Sequence, residues 1–72
     1  MLNPTLKNTD EFYEFHFDNG FVYDIKKTSC TNQKELDWWL LHLSEKNWWS
    51  QELETEFTDL YKINNEQQKN VQ

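Results

Sequence analysis

Two runs of alternating apolar and polar residues, 12–17 and 21–26, flank Asn19-Gly20. Asn-Gly between two such runs is the strongest short-range signal for a β-hairpin. A two-residue loop would divide the apolar side chains between the two faces of the ribbon, whereas a three-residue loop, 18–20, with Gly20 left-handed keeps them together. The predicted register therefore places six side chains on one face: Tyr13, Phe15, Phe17, Phe21, Tyr23 and Ile25.

Two amphipathic helices are predicted after the hairpin. Asn32 followed by Glu35 resembles a capping box, so a first helix is expected over about 33–46, ending near Asn47, which tolerates a left-handed cap. Ser50 is expected to cap a second helix over about 51–62. Apolar residues recur at helical spacing in both. The predicted core stripes are Leu36, Trp39, Leu40 and Leu43 in the first helix, and Leu53, Phe57, Leu60 and Tyr61 in the second.

These elements predict an α+β fold, a hairpin packed on two helices. Residues 1–63 are expected to form a single small domain, and the polar segment 64–72 a flexible, disordered tail. Residues 1–10 either add an edge strand or follow an irregular path, since Pro4 is incompatible with a central strand.

Composition restricts both the core and the partners. Twelve of the 72 residues are aromatic, and such large rings can replace a bigger aliphatic core. Cys30 is the single cysteine, and His16 and His42 lack zinc-site spacing, so neither a disulfide nor a metal site nor any cofactor is expected. A net charge of −6 disfavours direct binding to nucleic acid or anionic membranes. Without an apolar span or signal peptide, a cytoplasmic location is expected.

Trp38 and Leu41 form a second apolar face on the first helix, together with Lys34 and Glu45. Two interpretations stay open. The N-terminal segment or the Trp48-Trp49 connection covers this face, or the face is an exposed anchor for a partner or a second copy of the chain.

Glu52, Glu56 and Asp59 recur along the outside of the second helix, with Glu45 as a possible neighbour. The simple interpretation is a solvated helix face. The alternative is a line of negative charge that imitates a phosphate backbone and docks in the basic groove of a nucleic-acid enzyme.

Glu14 and Asp24 face each other across the predicted hairpin, flanked by His16 and Lys26. A surface pair whose repulsion is eased by Lys26 is the simple interpretation, and a bound divalent ion or a basic partner is the alternative. Acid/base catalysis by the two carboxylates is a formal third possibility, but a ribbon offers no pocket to desolvate them. No catalytic site is expected.

The segment 46–52, Lys-Asn-Trp-Trp-Ser-Gln-Glu, together with the preceding hairpin and helix, resembles small acidic anti-CRISPR proteins of prophages. One such inhibitor of a type II effector nuclease has a similar Lys-Asn-x-Trp-x-Gln-Glu stretch and an acidic segment. Other small phage proteins of unknown function similarly carry a His-Leu-x-x-Lys-x-Trp segment, here residues 42–48. The resemblance implies inhibition of a nucleic-acid enzyme by occupation of its groove. The residues it implicates are Glu52, Glu54, Glu56 and Asp59.

The leading hypothesis is thus a non-catalytic protein-binding domain, encoded by a phage or another mobile element, that inhibits a host nucleic-acid enzyme. The alternative is a homodimeric structural or adaptor protein that associates through Trp38 and Leu41.

Overall fold

A computed structural model describes the backbone of residues 3–69 and the side chains of residues 3–65. Three strands precede two helices, and the strands form an antiparallel sheet in the order β1-β2-β3. The elements are β1 (Thr5–Asn8), β2 (Phe12–His16), β3 (Val22–Lys26), a 3-10 turn (Lys27–Ser29), α1 (Gln33–Ser44) and α2 (Gln51–Lys69). The α+β fold predicted from the sequence is confirmed.

The hairpin has the predicted three-residue loop. The Phe17 amide donates to the Phe21 carbonyl at 2.9 Å, and the Gly20 amide donates to the Phe17 carbonyl at 3.0 Å. Gly20 has a φ of 90°, a conformation that glycine adopts without the steric cost borne by other residues. The six predicted side chains share one face in cross-strand pairs: Tyr13 with Ile25, Phe15 with Tyr23, and Phe17 with Phe21.

The N-terminal segment forms an edge strand, the first of its two predicted alternatives. β1 runs antiparallel to β2, with Leu6 opposite Phe15 and Lys7 opposite Glu14. Pro4 is buried just before the strand, where its missing amide hydrogen removes no ladder hydrogen bond. Residues 1 and 2 lie outside the described range.

α1 begins as predicted and ends differently. The Glu35 amide donates to the Asn32 side-chain oxygen at 2.9 Å, which is the expected cap. The expected left-handed cap at Asn47 is wrong, because no non-glycine residue in the described part of the chain has a positive φ. Instead the helix ends at Ser44, and the chain tightens through a hydrogen bond of 2.9 Å from the Lys46 amide to the Leu43 carbonyl.

α2 is longer than the sequence prediction. Ser50 caps it as expected, since its hydroxyl accepts from the Leu53 amide at 3.2 Å. The helix ends at Lys69 instead of near residue 62, so residues 64–69, assigned to the disordered tail, are helical. The segment contains no glycine or proline to stop the helix, and the Asn65 side chain donates to the Tyr61 carbonyl at 2.8 Å. The rest of that tail, 70–72, lies outside the described residues.

Both helices contribute to one core on a single face of the sheet. Phe57 of α2 meets Tyr13 edge-on, with ring centroids 5.2 Å apart, and Phe15 lies within 6 Å of both Trp48 and Trp49. No residue on the opposite face of the strands belongs to the core, so that face is open among the described residues. The core consists of Tyr13, Phe15, Phe17, Ile25, Cys30, Leu36, Leu43, Leu53, Phe57 and Tyr61.

Candidate functional site

Three of the four acidic residues singled out on α2 form one line. Glu52, Glu56 and Asp59 are all exposed, and their spacing of four and three residues places them on the same helix face. We call these three residues the acidic stripe. Glu54 is exposed too, but it lies about half a turn around the helix from Glu52, because successive residues rotate by about 100°.

Among the described side chains, no lysine forms an ion pair with the acidic stripe. The only ion pair with atoms within 4 Å among the side chains of residues 3–65 is that between His16 and Glu14. Residues 51–60 contain four carboxylates and no lysine. The stripe is therefore a concentrated negative surface. Glu45, expected as a possible neighbour, is the C-cap residue of α1.

The second apolar face of α1 is exposed. Trp38 has 56% of its surface accessible and Leu41 has 68%. The interpretation that the chain itself covers this face is wrong for the described residues. Trp48 and Trp49 pack around Phe15, and the N-terminal segment is a strand of the sheet.

The Trp38 ring is held in place although it is exposed. The His42 ring stacks on it, with centroids 5.0 Å apart and planes inclined by 8°, and the Trp39 ring meets it edge-on at 4.9 Å. Trp39 is itself fixed by a hydrogen bond of 3.1 Å from its indole nitrogen to the Ser29 carbonyl. An exposed indole with a fixed orientation loses little side-chain entropy when a partner covers it.

Glu14 and Asp24 lie opposite each other as predicted. The predicted relief by Lys26 involves no ion pair within the described side chains, where the His16 Nε2 atom lies 2.8 Å from the Glu14 Oε1 atom. Lys7 of β1 stands across from Glu14 on its other side. Sequence reasoning missed Lys7, although the alternation through Thr5, Leu6 and Lys7 carries a strand signal.

The Glu14–Asp24 pair lies at the surface of the sheet. The Glu14 side chain retains 23% of its exposure on the open face of the sheet. No group of three His, Cys, Asp or Glu side chains within the described residues is arranged to hold a metal ion.

Two reactive side chains lie inside the core. Burial raises the pKa of the Tyr13 hydroxyl to about 12 and the pKa of the Cys30 thiol to about 11. Both groups are therefore protonated at neutral pH, and a protonated thiol is a poor nucleophile. Cys30 is fully buried although it lies in the loop before α1, so its role is packing.

Comparison of the chain with protein-family models, with curated proteins and with solved structures gives no match. Neither helix of the described residues has the length and apolar character needed to cross a lipid bilayer.

Proposed function

We propose that this protein is a non-catalytic inhibitor, encoded by a phage or another mobile element and acting in the cytoplasm, that occupies the nucleic-acid groove of a host enzyme. The observation that carries the proposal is the acidic stripe, an exposed line of carboxylates with no ion-pair partner within 4 Å among the side chains of residues 3–65. The resemblance of residues 46–52 to anti-CRISPR proteins suggests a type II effector nuclease as the enzyme.

The stripe suits a basic groove for two physical reasons. The axial rise from Glu52 to Asp59 is about 10 Å. The three carboxylates therefore lie along one face of the helix and can pair with several lysine or arginine side chains at once. The carboxylates are already fixed to a helix, so docking orders few additional groups. Such an interaction gains its speed from electrostatic steering and weakens as salt rises.

The test is a cleavage assay with a guide-loaded type II effector nuclease and its target DNA. The wild-type protein should slow cleavage, and excess target DNA or added salt should relieve the inhibition. Glu52→Lys combined with Glu56→Lys should lower the inhibitory potency by about tenfold or more, since close charge pairs at interfaces contribute more than about 1.4 kcal/mol. A matched control, Glu11→Lys with Asp37→Lys, has the same net charge and changes exposed residues elsewhere.

Equal loss in both double variants would mean that total charge matters and the stripe does not. Inhibition that excess DNA fails to relieve would exclude occupation of the groove.

The alternative function is a homodimeric adaptor, and the exposure of Trp38 and Leu41 favours it. Self-association would not exclude inhibition, because the acidic stripe and these two residues lie on different helices. Sedimentation of the purified protein at micromolar concentration distinguishes a monomer from a dimer that Trp38→Ala disrupts.

A further inference from the structure

Four exposed side chains lie along the side of α1 that points away from the core. Lys34, Trp38, Leu41 and Glu45 recur at spacings of four, three and four residues, so they share one face. We call this set the α1 outer face. Neither Lys34 nor Glu45 has a charged partner within 4 Å among the side chains of residues 3–65. The face thus has an apolar centre and one free charge of opposite sign at each end.

Both charges stand at the unfavourable ends of the helix. Lys34 lies in the first turn, where the helix dipole favours negative charge, and Glu45 is the C-cap, where the dipole favours positive charge. Within the described side chains of one copy, neither charge has an ion-pair partner that offsets this cost. A second helix running in the opposite direction would offset this cost, because the negative end of its dipole would lie beside Lys34 and the positive end beside Glu45.

The spacing of the four residues matches such an antiparallel neighbour. Lys34 and Glu45 are equally far from the midpoint of the face, between residues 39 and 40, and so are Trp38 and Leu41. Two-fold rotation about that midpoint therefore brings Lys34 to Glu45 of a second copy and Trp38 to Leu41 of that copy. An interface of this kind is self-complementary, as closed dimers require.

We propose that two copies of this chain associate through antiparallel contact of their α1 outer faces. The fixed Trp38 ring is the apolar anchor at the centre, a role in which tryptophan is enriched. The two Lys34–Glu45 pairs set the direction and register of the helices, as charged pairs do at other helix interfaces. This proposal rests on the alternative function, the homodimeric adaptor, and adds to it the antiparallel register of the two helices. It does not depend on the acidic stripe of α2.

The experiment is sedimentation equilibrium of the full chain, from about one micromolar to several hundred micromolar, in buffer of physiological ionic strength. The wild-type protein should show a monomer–dimer equilibrium. Trp38→Ala should weaken the dimer by about tenfold or more, because centrally buried tryptophans at interfaces contribute at least about 1.4 kcal/mol. Lys34→Glu alone and Glu45→Lys alone should each weaken it, since each places like charges together twice.

An equimolar mixture of Lys34→Glu with Glu45→Lys should restore association, because every charge then faces an opposite charge in the mixed dimer. The controls Lys62→Glu and Glu11→Lys carry the same charge changes at exposed positions outside α1, and they should dimerise like the wild type. Circular dichroism verifies that each variant is folded.

A wild-type protein that is monomeric at every concentration would overturn the proposal, and the partner of the α1 outer face would then be a different protein. A dimer that is indifferent to both charge reversals, or a mixture that fails to associate better than the single variants, would overturn the antiparallel register.

Discussion

Replacement of Phe57 by alanine is expected to unfold the domain. The Phe57 side chain is fully buried, and its ring lies within 6.5 Å of the rings of Tyr13, Phe15 and Trp49. Truncation of a buried phenylalanine costs about 3–5 kcal/mol through lost transfer free energy and the cavity left behind. A core in a chain of this length seldom provides more than about 3–5 kcal/mol in total. The loss is therefore as large as the whole stability.

Chemical denaturation followed by near-ultraviolet circular dichroism tests this expectation, because the aromatic signal reports packing of the rings. Phe57→Ala should show little native signal at 25 °C. Phe21→Ala is the control, since Phe21 is 56% exposed at the hairpin loop and its truncation removes much less buried surface. A cooperative transition for Phe57→Ala within about 1 kcal/mol of the wild type would refute the reasoning, because the cost of this truncation is at least about 3 kcal/mol.

Further substitutions and a thiol-reactivity measurement test local features of the fold. Gly20→Ala should destabilise the hairpin by about 1–2 kcal/mol, because alanine is strained at positive φ, and Gly20→Asn should cost less since asparagine tolerates that region. Asn32→Ala and Ser50→Ala should each cost about 1 kcal/mol through loss of a helix cap; no change in unfolding midpoint would show that the caps are dispensable. The Cys30 thiol should resist a thiol reagent at pH 8 until the protein is unfolded. Its pKa rises from 9.0 to about 11 on folding, so its stabilising contribution is complete below pH 9 and is lost as pH rises towards 11; Cys30→Ala should make that decline shallower.

Local patterns in the sequence determine the hairpin register and the starts of the two helices. The alternation around Asn19-Gly20 admits one loop length that keeps the apolar side chains together, and the observed pairing of Phe15 with Tyr23 follows. Asn32 and Ser50 mark the helix starts for the same reason, since a cap depends on residues three apart in the chain. The acidic stripe is equally local, because helical periodicity alone places its carboxylates on one side.

Tertiary packing decided what periodicity leaves open. Whether residues 5–8 pair with β2 depends on a contact with residues 13–16, and no pattern within the segment itself fixes it. Cys30 is buried because α1 and α2 close over the sheet, although its loop position gave no sign of this. Trp38 and Leu41 are exposed because Trp48 and Trp49 pack inwards against Phe15 and do not cover the outer side of α1. Exposure is a property of the assembled layers, so the sequence could identify the second apolar face of α1 but could not decide whether the chain itself covers it.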